Sequence, residues 1–528
     1  MRTRFFFSES QLISSRAAMA SYGGAKVSKR KSDPAQVWDH LLRKPQKSRG
    51  SLSMQLVASF IDAIDGKRIP EGVRLPSSRS IAESLKIGRN TVIAAIDSLI
   101  EQGYLLAKDR SGIFVAARND IEHRDIHPVQ AVEPYDWPSR LRSARRVPVR
   151  PSDDPQLRLA SHNLLYGQFD PSTFPINHWR QCERSALAVT EIAEWGRDAF
   201  DRDDDALLSS LRQHVLPKHG IWAEQDELLV TLGGQEGRYL VAQLLCRAGT
   251  RVGIENPGLT DMAEILATTP AKRVSLNVDE FGVQLSDELN SCNVIFAMPG
   301  HHCPTTAVMP AERRLELLDR ARREDMIVVE DTYETELLAH AKMIPSLKSL
   351  DREGRVIHLG SLSKCVAPGL RVGFVVASPV VISELRAIRR LIHRHPPGNI
   401  QRALAMFIDR GYYHSYMRHV STTIRRRTDT MVKSIARWMP EARVKHCDGA
   451  SSFWMELPAD IEAGVLSSML TKQGILVESG ERFYSENARR NCLRIAVSQI
   501  PESKIDGAVR SIRAAMRHQA SQKAKISA

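Results

Sequence analysis

One stretch of the sequence, residues 355–373, constrains the fold more than any other. It begins with a short apolar run, Val356-Ile-His-Leu359, which predicts a buried strand. A loop follows, because Gly360 and the pair Pro368-Gly369 are turn residues. Lys364 lies in this loop. The segment therefore predicts a buried strand with a lysine just past its carboxyl end.

The residues around Lys364 suit one particular cofactor. Ser361, Ser363 and Arg371 offer two hydroxyls and a guanidinium, which are suited to bind a phosphate. A lysine amine beside them can form a Schiff base with an aldehyde. Pyridoxal 5'-phosphate (PLP) carries both groups. The alternative is an ordinary lysine in a surface loop, which is the more frequent case for a lysine considered alone.

A second stretch supplies an acid for the same cofactor. The apolar run 326–329 predicts another buried strand, which ends at Glu330-Asp331. A carboxylate at a buried strand end is costly unless it is paired, and the protonated pyridine nitrogen of PLP is such a partner. Tyr333 points to the same side if the chain stays extended, which suits a hydrogen bond to the ring hydroxyl. The alternatives for Asp331 are a helix cap and a structural ion pair.

A third stretch predicts a phosphate cup. Residues 227–231 read as a strand, and Leu232-Gly-Gly-Gln235 leads into a helical pattern. The start of a helix presents free backbone N–H groups at its positive dipole end, which is an anion site. Two glycines alone are more often just a turn. Together, three strand ends with complementary chemistry indicate one site.

Apolar strands alternate with amphipathic helices through this part of the chain, which predicts a mainly parallel, doubly wound sheet. The remaining predicted strands cover residues 251–254, 293–297 and 372–376. In such sheets ligands bind at the carboxyl ends of the strands, where all three motifs fall. Residues 451–457 and 493–497 predict strands of a smaller α+β lobe near the end of the chain.

The region from about Leu165 to Arg513 resembles the PLP-dependent fold-type I aminotransferase domain, whose cofactor-lysine signature matches Ser361 to Gly373. The resemblance implies an internal aldimine on Lys364. It implies a cofactor site made of Lys364, Asp331 at the pyridine nitrogen, Tyr333 at the ring hydroxyl, and Arg371, Ser361, Ser363, Gly234 and Gln235 around the phosphate. Arg494 resembles the arginine that binds a substrate carboxylate in two prongs. A solvated arginine on an edge strand is an alternative of nearly equal weight.

The beginning of the chain is basic. Residues 1–118 contain 20 Lys and Arg against 10 Asp and Glu, whereas the other 410 residues contain 54 and 51. An excess of this kind favours a polyanion partner. Residues 52–117 predict three short helices and two strands joined by a Gly-bearing turn, which is the pattern of a winged helix-turn-helix.

The segments around Arg79, Arg89-Asn-Thr-Val92 and Gly103-Tyr-Leu closely resemble the GntR-type winged helix. That resemblance implies contacts to double-stranded DNA from Arg79, Arg89, Asn90, Thr91, Ser111 and Gly112. Arginine and asparagine are the side chains best suited by geometry to read base edges. The alternative is a solvated turn that caps a helix.

These patterns divide the chain into five parts. We expect a disordered basic tail at 1–45, a winged helix at 46–118, a Pro-rich linker at 119–160, the PLP-binding domain at 161–518 and a tail at 519–528. An over-long start upstream of the real domain would account for residues 1–45 equally well. The 7 scattered cysteines argue against a disulfide framework or a zinc site, so no metal is expected. No apolar run is long enough to span a membrane, and a reducing bacterial cytoplasm, with nucleoid association, fits best.

The order of the domains resembles the MocR/GabR subfamily of bacterial transcription regulators. The resemblance implies a homodimer in which PLP and an amino compound act as effectors. Three departures from the aminotransferase pattern weaken turnover: Cys303 and Thr306 replace Asn and Gly around Pro304-Thr305, Leu259 replaces an aromatic residue, and Phe200–Asp205 lacks the usual Tyr and Gly. We therefore expect that PLP is retained with poor or absent transamination. An active aminotransferase with an accessory DNA-binding module, and a regulator that has lost PLP, remain as alternatives.

Overall fold

The computed structural model describes residues 51–109, 111–117, 160–167, 169–332, 334–335, 345–363 and 366–527, and five isolated residues at 42, 45, 136, 137 and 140. The chain forms two compact units, Met1–Ser143 and Ala144–Ala528. Lys364 and Tyr333 lie outside the described residues, as do nearly all of the predicted tail 1–45 and linker 119–160.

The first unit contains the predicted winged helix. Its helices and strands are α1 (Leu52–Asp65), α2 (Ser78–Leu85), α3 (Arg89–Glu101), β1 (Leu105–Lys108) and β2 (Gly112–Val115). The two strands pair in antiparallel fashion, with Leu105 opposite Val115 and Lys108 opposite Gly112. The three helices and the hairpin confirm the fold expected for this part of the chain.

Local chemistry explains where these elements begin. Ser77 caps α2, because its side chain accepts a hydrogen bond from the backbone N–H of Ser80 at 3.1 Å. The apolar faces of the helices meet in one core that includes Leu56, Phe60 and Leu99. This packing fixes α3 on the body of the domain and leaves its amino-terminal end at the surface.

The second unit alternates strands and helices over most of its length. Up to the end of β9 its elements are β3 (His162–Asn163), α4 (Ile176–Ala186), α5 (Val189–Trp195), α6 (Asp205–Ser210), β4 (Leu228–Thr231), α7 (Gly234–Leu245), β5 (Arg251–Asn256), α8 (Thr260–Leu266), β6 (Lys272–Asp279), β7 (Gly282–Val283), α9 (Asp287–Asn290), β8 (Val294–Ala297), α10 (Ala311–Arg323) and β9 (Ile327–Asp331). After β9 the described elements are α11 (Leu347–Leu350), β10 (Val356–Ser361), β11 (Gly373–Val376), α12 (Pro379–Ile392), α13 (Gly398–Asp409), α14 (Tyr412–Trp438), β12 (Arg443–His446), β13 (Ser452–Glu456), α15 (Ala463–Lys472), β14 (Ile475–Leu476), β15 (Glu478–Ser479), β16 (Cys492–Ala496) and α16 (Glu502–Ser527).

Eight strands form one large sheet in the order β4-β11-β10-β9-β8-β5-β6-β7. The neighbours from β10 through β6 are parallel, whereas β11 runs antiparallel to both β10 and β4, and β7 runs antiparallel to β6. The predicted mainly parallel sheet is therefore confirmed. Because β4, β5, β8, β9 and β10 share one direction, their carboxyl ends lie along the same edge.

Apolar side chains cover both faces of this sheet. One cluster joins β4, β5 and β10 to helices α7 and α12, and includes Leu229, Val241 and Leu385. Another lies against α10 and includes Ile295, Leu317 and Val328. A parallel sheet needs such cover on both sides, because its strands are apolar on both faces. The edge with the carboxyl ends of the strands is thereby held rigidly.

A smaller lobe follows the large sheet. Its four antiparallel strands have the order β12-β13-β16-β15, and they share an apolar core with α14, α15 and α16. β16 is flanked on both sides, by β13 and β15. Helix α16 continues through residues 519–527, which the sequence analysis assigned to a tail. In the described residues, no helix is long and apolar enough to cross a membrane.

The segment that lacks the usual Tyr and Gly carries a buried ion-pair network. Asp203 accepts hydrogen bonds from Arg389 at 2.5 Å, from Arg386 at 3.2 Å and from the N–H of Val230 at 3.2 Å. The side chains of Asp203 and Arg389 are fully buried. Because Val230 belongs to β4, Asp203 helps to secure the edge strand that leads into the phosphate cup.

Candidate cofactor and DNA-binding sites

Three of the predicted motifs meet at the carboxyl edge of the large sheet. β4 ends at Thr231, β9 ends at Asp331 and β10 ends at Ser361. The adjacent β11 begins at Gly373 opposite both Ser361 and Thr231, which brings the chain after Lys364 back to the same edge. The sheet topology therefore gathers side chains that are more than a hundred residues apart in the sequence.

The glycine turn after β4 forms a cup. Gly233 has a φ of +79°, and a Cβ at this position would lie 3.2 Å from the guanidinium of Arg371 and 3.3 Å from Oγ of Ser363. Gly234 begins α7, so the first backbone N–H groups of this 12-residue helix point into the turn. A side chain at Gly233 would fill the space between the helix start and Arg371, which explains why the position needs glycine.

Arg371 is held in place from two directions. Its backbone is in the left-handed region at φ +52°, and its Nη2 donates a hydrogen bond to the carbonyl of Leu232 at 2.7 Å. Arg371 is an exposed residue, and the rest of its guanidinium lies at the surface of the cup. This arrangement leaves N–H donors for an anion beside the start of α7.

Ser363 contributes by fixing the loop. Its hydroxyl donates to the carbonyl of Val372 at 3.0 Å and accepts from the N–H of the same residue at 2.7 Å. The single hydroxyl proton of Ser363 is thus committed to the backbone. Ser361 lies at the end of β10, and its Cβ is 3.7 Å from a Cβ placed on Gly234. The predicted phosphate contacts of both serines stay predictions.

Asp331 lies at the end of β9 and is paired within the protein. Nη1 of Arg238 donates to Oδ2 of Asp331 at 2.6 Å, and both side chains are about nine-tenths buried. Nη2 of Arg238 donates to Oε1 of Gln235 at 3.0 Å. The structural ion pair that the sequence analysis left open for Asp331 is therefore present, formed by a residue that it did not single out.

A pocket opens beside this ion pair. Its space, including the part open to solvent, amounts to about 320 Å³, and its walls are mostly apolar. It is lined by Arg238, Ile254, Glu255, Leu259, Met262, Phe296, Ala297, Met298 and Asp331. Leu259, where the sequence lacks an aromatic residue, packs here with Met298 and Cys303. The pocket thus combines an apolar wall with one charged pair at its base.

Glu255 is a second carboxyl group of the pocket, and it is mostly protonated at pH 7. Burial raises the pKa of Glu255 to about 8, although its hydrogen bond from the N–H of Met298 lowers it, and the charge of Asp331 adds to the rise. Its two oxygens accept from that N–H at 3.2 and 3.3 Å. Asp331 is the carboxyl group of this pocket that forms an ion pair with an arginine.

Two buried histidines lie behind Glu255. Burial lowers the pKa of both His301 and His302 to about 3, and the nearby charge of Arg494 contributes. Nε2 of His302 is 3.5 Å from Oε2 of Glu255. Since both groups are neutral at pH 7, this contact is not an ion pair. Nδ1 of His301 lies 3.6 Å from Glu334, which also binds Ser451 of the small lobe.

Arg494 lies in the interior of the small-lobe sheet, on β16, and is 3% exposed. The solvated edge-strand alternative is therefore excluded. Its guanidinium carbon lies 4.0 Å from the ring centroid of Tyr166 and 5.5 Å from that of Phe483. Its Nη1 is 3.6 Å from Oε2 of Glu478, which is directly opposite on β15. A carboxylate of the protein thus already faces the predicted carboxylate-binding arginine.

In the first unit the predicted DNA contacts lie at the surface. Arg89 and Asn90 begin α3 and are exposed, and Thr91 is half-buried. Arg79 is exposed on α2, with its Nε 3.1 Å from Glu83. Nε of Arg89 lies 3.4 Å from Oγ of Ser78. Arg89 and Asn90 are displayed at the amino-terminal end of the third helix, the part of such a motif that enters a groove.

The wing is formed by the turn between β1 and β2. Ser111 is exposed and its N–H donates to the carbonyl of Lys108 at 3.0 Å. Gly112 has a φ of +107°, and a Cβ there would lie 2.8 Å from Nε of Arg74. The turn therefore requires glycine for its backbone conformation, and a larger residue would also force the Arg74 side chain to move. The roles of these residues in DNA contact remain predictions.

Sequence reasoning missed Arg238, Glu255, His301 and His302. One signal for Arg238 was available, because it falls among Gly237, Leu240 and other buried residues of α7, where an arginine needs a buried partner. The histidines lie four and five residues after the end of β8, whose carboxyl end is at the same sheet edge as the other motifs. Their pairing with the acids depends on tertiary contacts that no spacing in the sequence expresses.

Comparison with known proteins agrees with both halves of the structure. Two protein-family models match the chain. The family "Aminotransferase class I and II" matches residues 156–512, and the family "Bacterial regulatory proteins, gntR family" matches residues 52–115. The fold resembles a kynurenine aminotransferase of Pyrococcus horikoshii, with a TM-score of 0.66 and 23% identity, over 73% of this chain and 98% of that one. The chain is thus a GntR-type winged helix joined to a fold-type I aminotransferase domain.

The curated relatives share this combination. The chain is 36% identical to the HTH-type transcriptional regulator TauR of Rhodobacter capsulatus over 89% of its own length and 97% of that protein. It is 28% identical to the probable rhizopine catabolism regulatory protein MocR of Rhizobium meliloti, over 69% and 74% of the two chains. The chain belongs to the MocR-type family of GntR transcription regulators. It is a transcription regulator with an aminotransferase-like domain, and its GntR domain implies DNA binding.

The fold implies PLP binding, and the described residues fit that cofactor. The cup at Gly233 offers donors for a phosphate, because the start of α7 and the guanidinium of Arg371 lie on either side of a position that carries no side chain. The pocket next to it is apolar and ends at the charged Asp331, as a ring with a basic nitrogen requires. When bound, PLP supplies an aldehyde that a primary amine can join.

Proposed function

We propose that this regulator binds PLP through Lys364 and senses an amino compound by aldimine exchange, with a change in DNA binding or dimer geometry as the output. In this exchange the incoming primary amine takes the place of the lysine amine at one carbon. One C=N bond forms as another breaks, and the lysine amine is released. No oxidant or reductant is needed, so binding and release are reversible.

The observation that carries this proposal is the meeting of the glycine cup and Asp331 at one sheet edge, next to the loop that contains Lys364. The helix start and Arg371 would hold the phosphate, and Asp331 would face the ring nitrogen. Tyr333 would hold the ring hydroxyl. Arg494 would hold the carboxylate of an effector that carries one, in competition with Glu478.

The output would pass to the winged helix. An effector changes the affinity for DNA only if it binds two states of the protein with different affinities. Covalent release of Lys364 provides such a difference, because it removes a tie between the lysine loop and the cofactor. We propose Arg79, Arg89, Asn90, Thr91, Ser111 and Gly112 as the DNA contacts. A homodimer in the bacterial cytoplasm, associated with the nucleoid, is part of the same proposal.

A second candidate function is an active aminotransferase that carries an accessory DNA-binding module. The cup and Asp331 favour it, since both serve turnover as well as binding. Leu259 at the ring pocket and Cys303 in place of asparagine disfavour it. Sustained turnover of an amino donor with 2-oxoglutarate would support this candidate and contradict sensing without turnover.

The primary test is the visible absorption spectrum of the purified protein with and without added PLP. The parent is expected to show a cofactor band that Lys364→Ala abolishes and that the matched control Lys472→Ala retains, since Lys472 is an exposed residue at the end of α15. Candidate amines are then screened for changes in this band and in DNA binding. A parent without any band, even with PLP in excess, would refute the proposal.

A further inference from the structure

Arg238 occupies an unusual place for an arginine. It lies in the second turn of α7, on the face that packs against the sheet, and is 7% exposed. Its neighbours on this face are Val241 and Ala242, three and four residues further along the helix, and both are buried. An arginine buried among apolar residues destabilises a fold unless a carboxylate pairs with it. Arg238 therefore has to be explained by its partner, Asp331.

The partner is the carboxylate expected at the cofactor's ring nitrogen. Nη1 of Arg238 binds only Oδ2 of Asp331, and none of the hydrogen bonds between described residues uses Oδ1. Both residues line the same pocket. Gln235 holds the other end of the guanidinium through Nη2 at 3.0 Å, so the orientation of Arg238 is fixed by the turn that forms the phosphate cup.

We infer that Arg238 is a positioning residue that shares the Asp331 carboxylate with the ring nitrogen of PLP and so holds that nitrogen less protonated than an unshared carboxylate would. The inference rests on the proposed function, because it requires PLP in this pocket. It adds a reason why the same site would favour binding of an amine over its turnover. A protonated ring withdraws electrons from a reacting amine, and a less protonated ring does so less.

The charges around the ring position support this inference. Arg238 from α7 carries a positive charge, and Asp331 from β9 carries a negative one. Glu255 from β5 faces the same pocket and is neutral at pH 7, as is His302 behind it. The pair of Arg238 and Asp331 thus has no net charge. A protonated ring nitrogen would bind a carboxylate that already binds the Arg238 cation at 2.6 Å, so the carboxylate would stabilise the proton less.

The competing explanation is that Arg238 only stabilises the fold. Removal of the arginine would then lower stability and leave the ring nitrogen unchanged. The two explanations predict different protonation states of the bound cofactor, and a change in fold stability alone does not alter that state. That state can be read from the ¹⁵N resonance of PLP labelled at the ring nitrogen.

The experiment compares the holoprotein with R238M, R238K and R251M, each loaded with ¹⁵N-labelled PLP. In R238M the resonance is expected to move upfield, towards a protonated nitrogen, and the pH at which half of the nitrogen is protonated should rise by about 1–3 units. R238K retains the cation and should stay close to the parent. R251M is the matched control, because Arg251 begins β5 at the opposite edge of the same sheet and binds Ser291.

Each outcome has one interpretation. An upfield shift in R238M, rescued in R238K and absent in R251M, supports the inference. An unchanged resonance in R238M with PLP bound overturns it and leaves the proposed function intact. A parent that binds no PLP refutes the proposed function itself. If R238M does not fold, Arg238→Gln, which is neutral and polar, takes its place with the same expected direction.

Discussion

We expect the free energy of unfolding of the parent protein to fall as the pH rises. Replacement of Glu255 by glutamine should abolish this fall. Glu255 is buried at the pocket wall, and both of its oxygens face the N–H of Met298. Its protonated form fits this place, whereas its charged form lacks a cationic partner among the contacts described for it. Glutamine has the shape of the protonated acid and keeps an oxygen for Met298.

The magnitude follows from the pKa of Glu255, which is 4.5 in an unfolded chain and about 8 in the fold. Between these values the folded state binds one proton more than the unfolded state, so the free energy of unfolding falls by about 1.4 kcal/mol per pH unit. The contribution is complete below pH 4.5 and is lost as the pH rises towards 8. From pH 6 to pH 8 the fall amounts to about 2–3 kcal/mol.

The acid side has the opposite sign. Burial lowers the pKa of His301 and His302 to about 3, so both are neutral in the fold while an unfolded chain protonates them below about pH 6.5. Stability from these histidines is present above pH 6.5 and declines as the pH falls. The parent and E255Q share this acid decline, and only the alkaline decline separates them.

The assay is the thermal midpoint of the apoprotein at pH 5 to 9, followed by tryptophan fluorescence. The segment 51–117 contains no tryptophan, whereas residues 161–527 contain five, so the signal reports mainly on the large domain. The midpoint of E255Q should approach that of the parent near pH 5 and exceed it increasingly up to pH 8. Glu280→Gln, at an exposed site, is the matched control. Parallel profiles for the parent and E255Q would refute the reasoning.

Three further predictions concern other parts of the chain. Arg389→Met should lower the free energy of unfolding by about 3–5 kcal/mol, because it leaves Asp203 buried without its main partner. Adding Asp203→Asn should restore part of this loss in the same fluorescence assay. Glu478→Gln removes the carboxylate that faces Arg494, so it should tighten the binding of an aminocarboxylate by up to about tenfold. The affinity is measured from the cofactor band, and an amine without a carboxylate should bind with unchanged affinity. Ser77→Ala should destabilise α2 by about 0.5–2 kcal/mol through loss of its cap, seen as faster amide hydrogen exchange in α2 only.

The strand pattern and the family signature could both be predicted from the sequence. Apolar runs placed six of the eight strands of the large sheet within about two residues of their observed ends, because a strand buried on both faces is apolar throughout. β6 and β7 were not predicted, and β6 is only partly buried. The turn glycines after β4 also predicted the cup. These signals are local, so they survive without knowledge of the rest of the chain.

The pairing inside the site could not be predicted in this way. Arg238 and Asp331 are 93 residues apart, and their contact depends on the distance between a helix and a strand of the folded sheet. The interior position of Arg494 likewise follows from β15, a two-residue strand too short to produce a sequence pattern. The neutral state of Glu255 depends on its burial, which only the packed structure reveals.

Sensing and turnover place different demands on such a site, and under the proposed function this chain meets them unequally. Exchange of an amine at the cofactor needs the lysine, the aldehyde and a cup that keeps the phosphate in place. Turnover also needs a ring that withdraws electrons strongly, which depends on an undivided carboxylate at its nitrogen. Arg238 already binds Asp331, and Glu255 is mostly protonated at pH 7. The second demand can therefore fail while the first is met. Cofactor retention without efficient transamination is therefore a physically consistent outcome of this arrangement of residues.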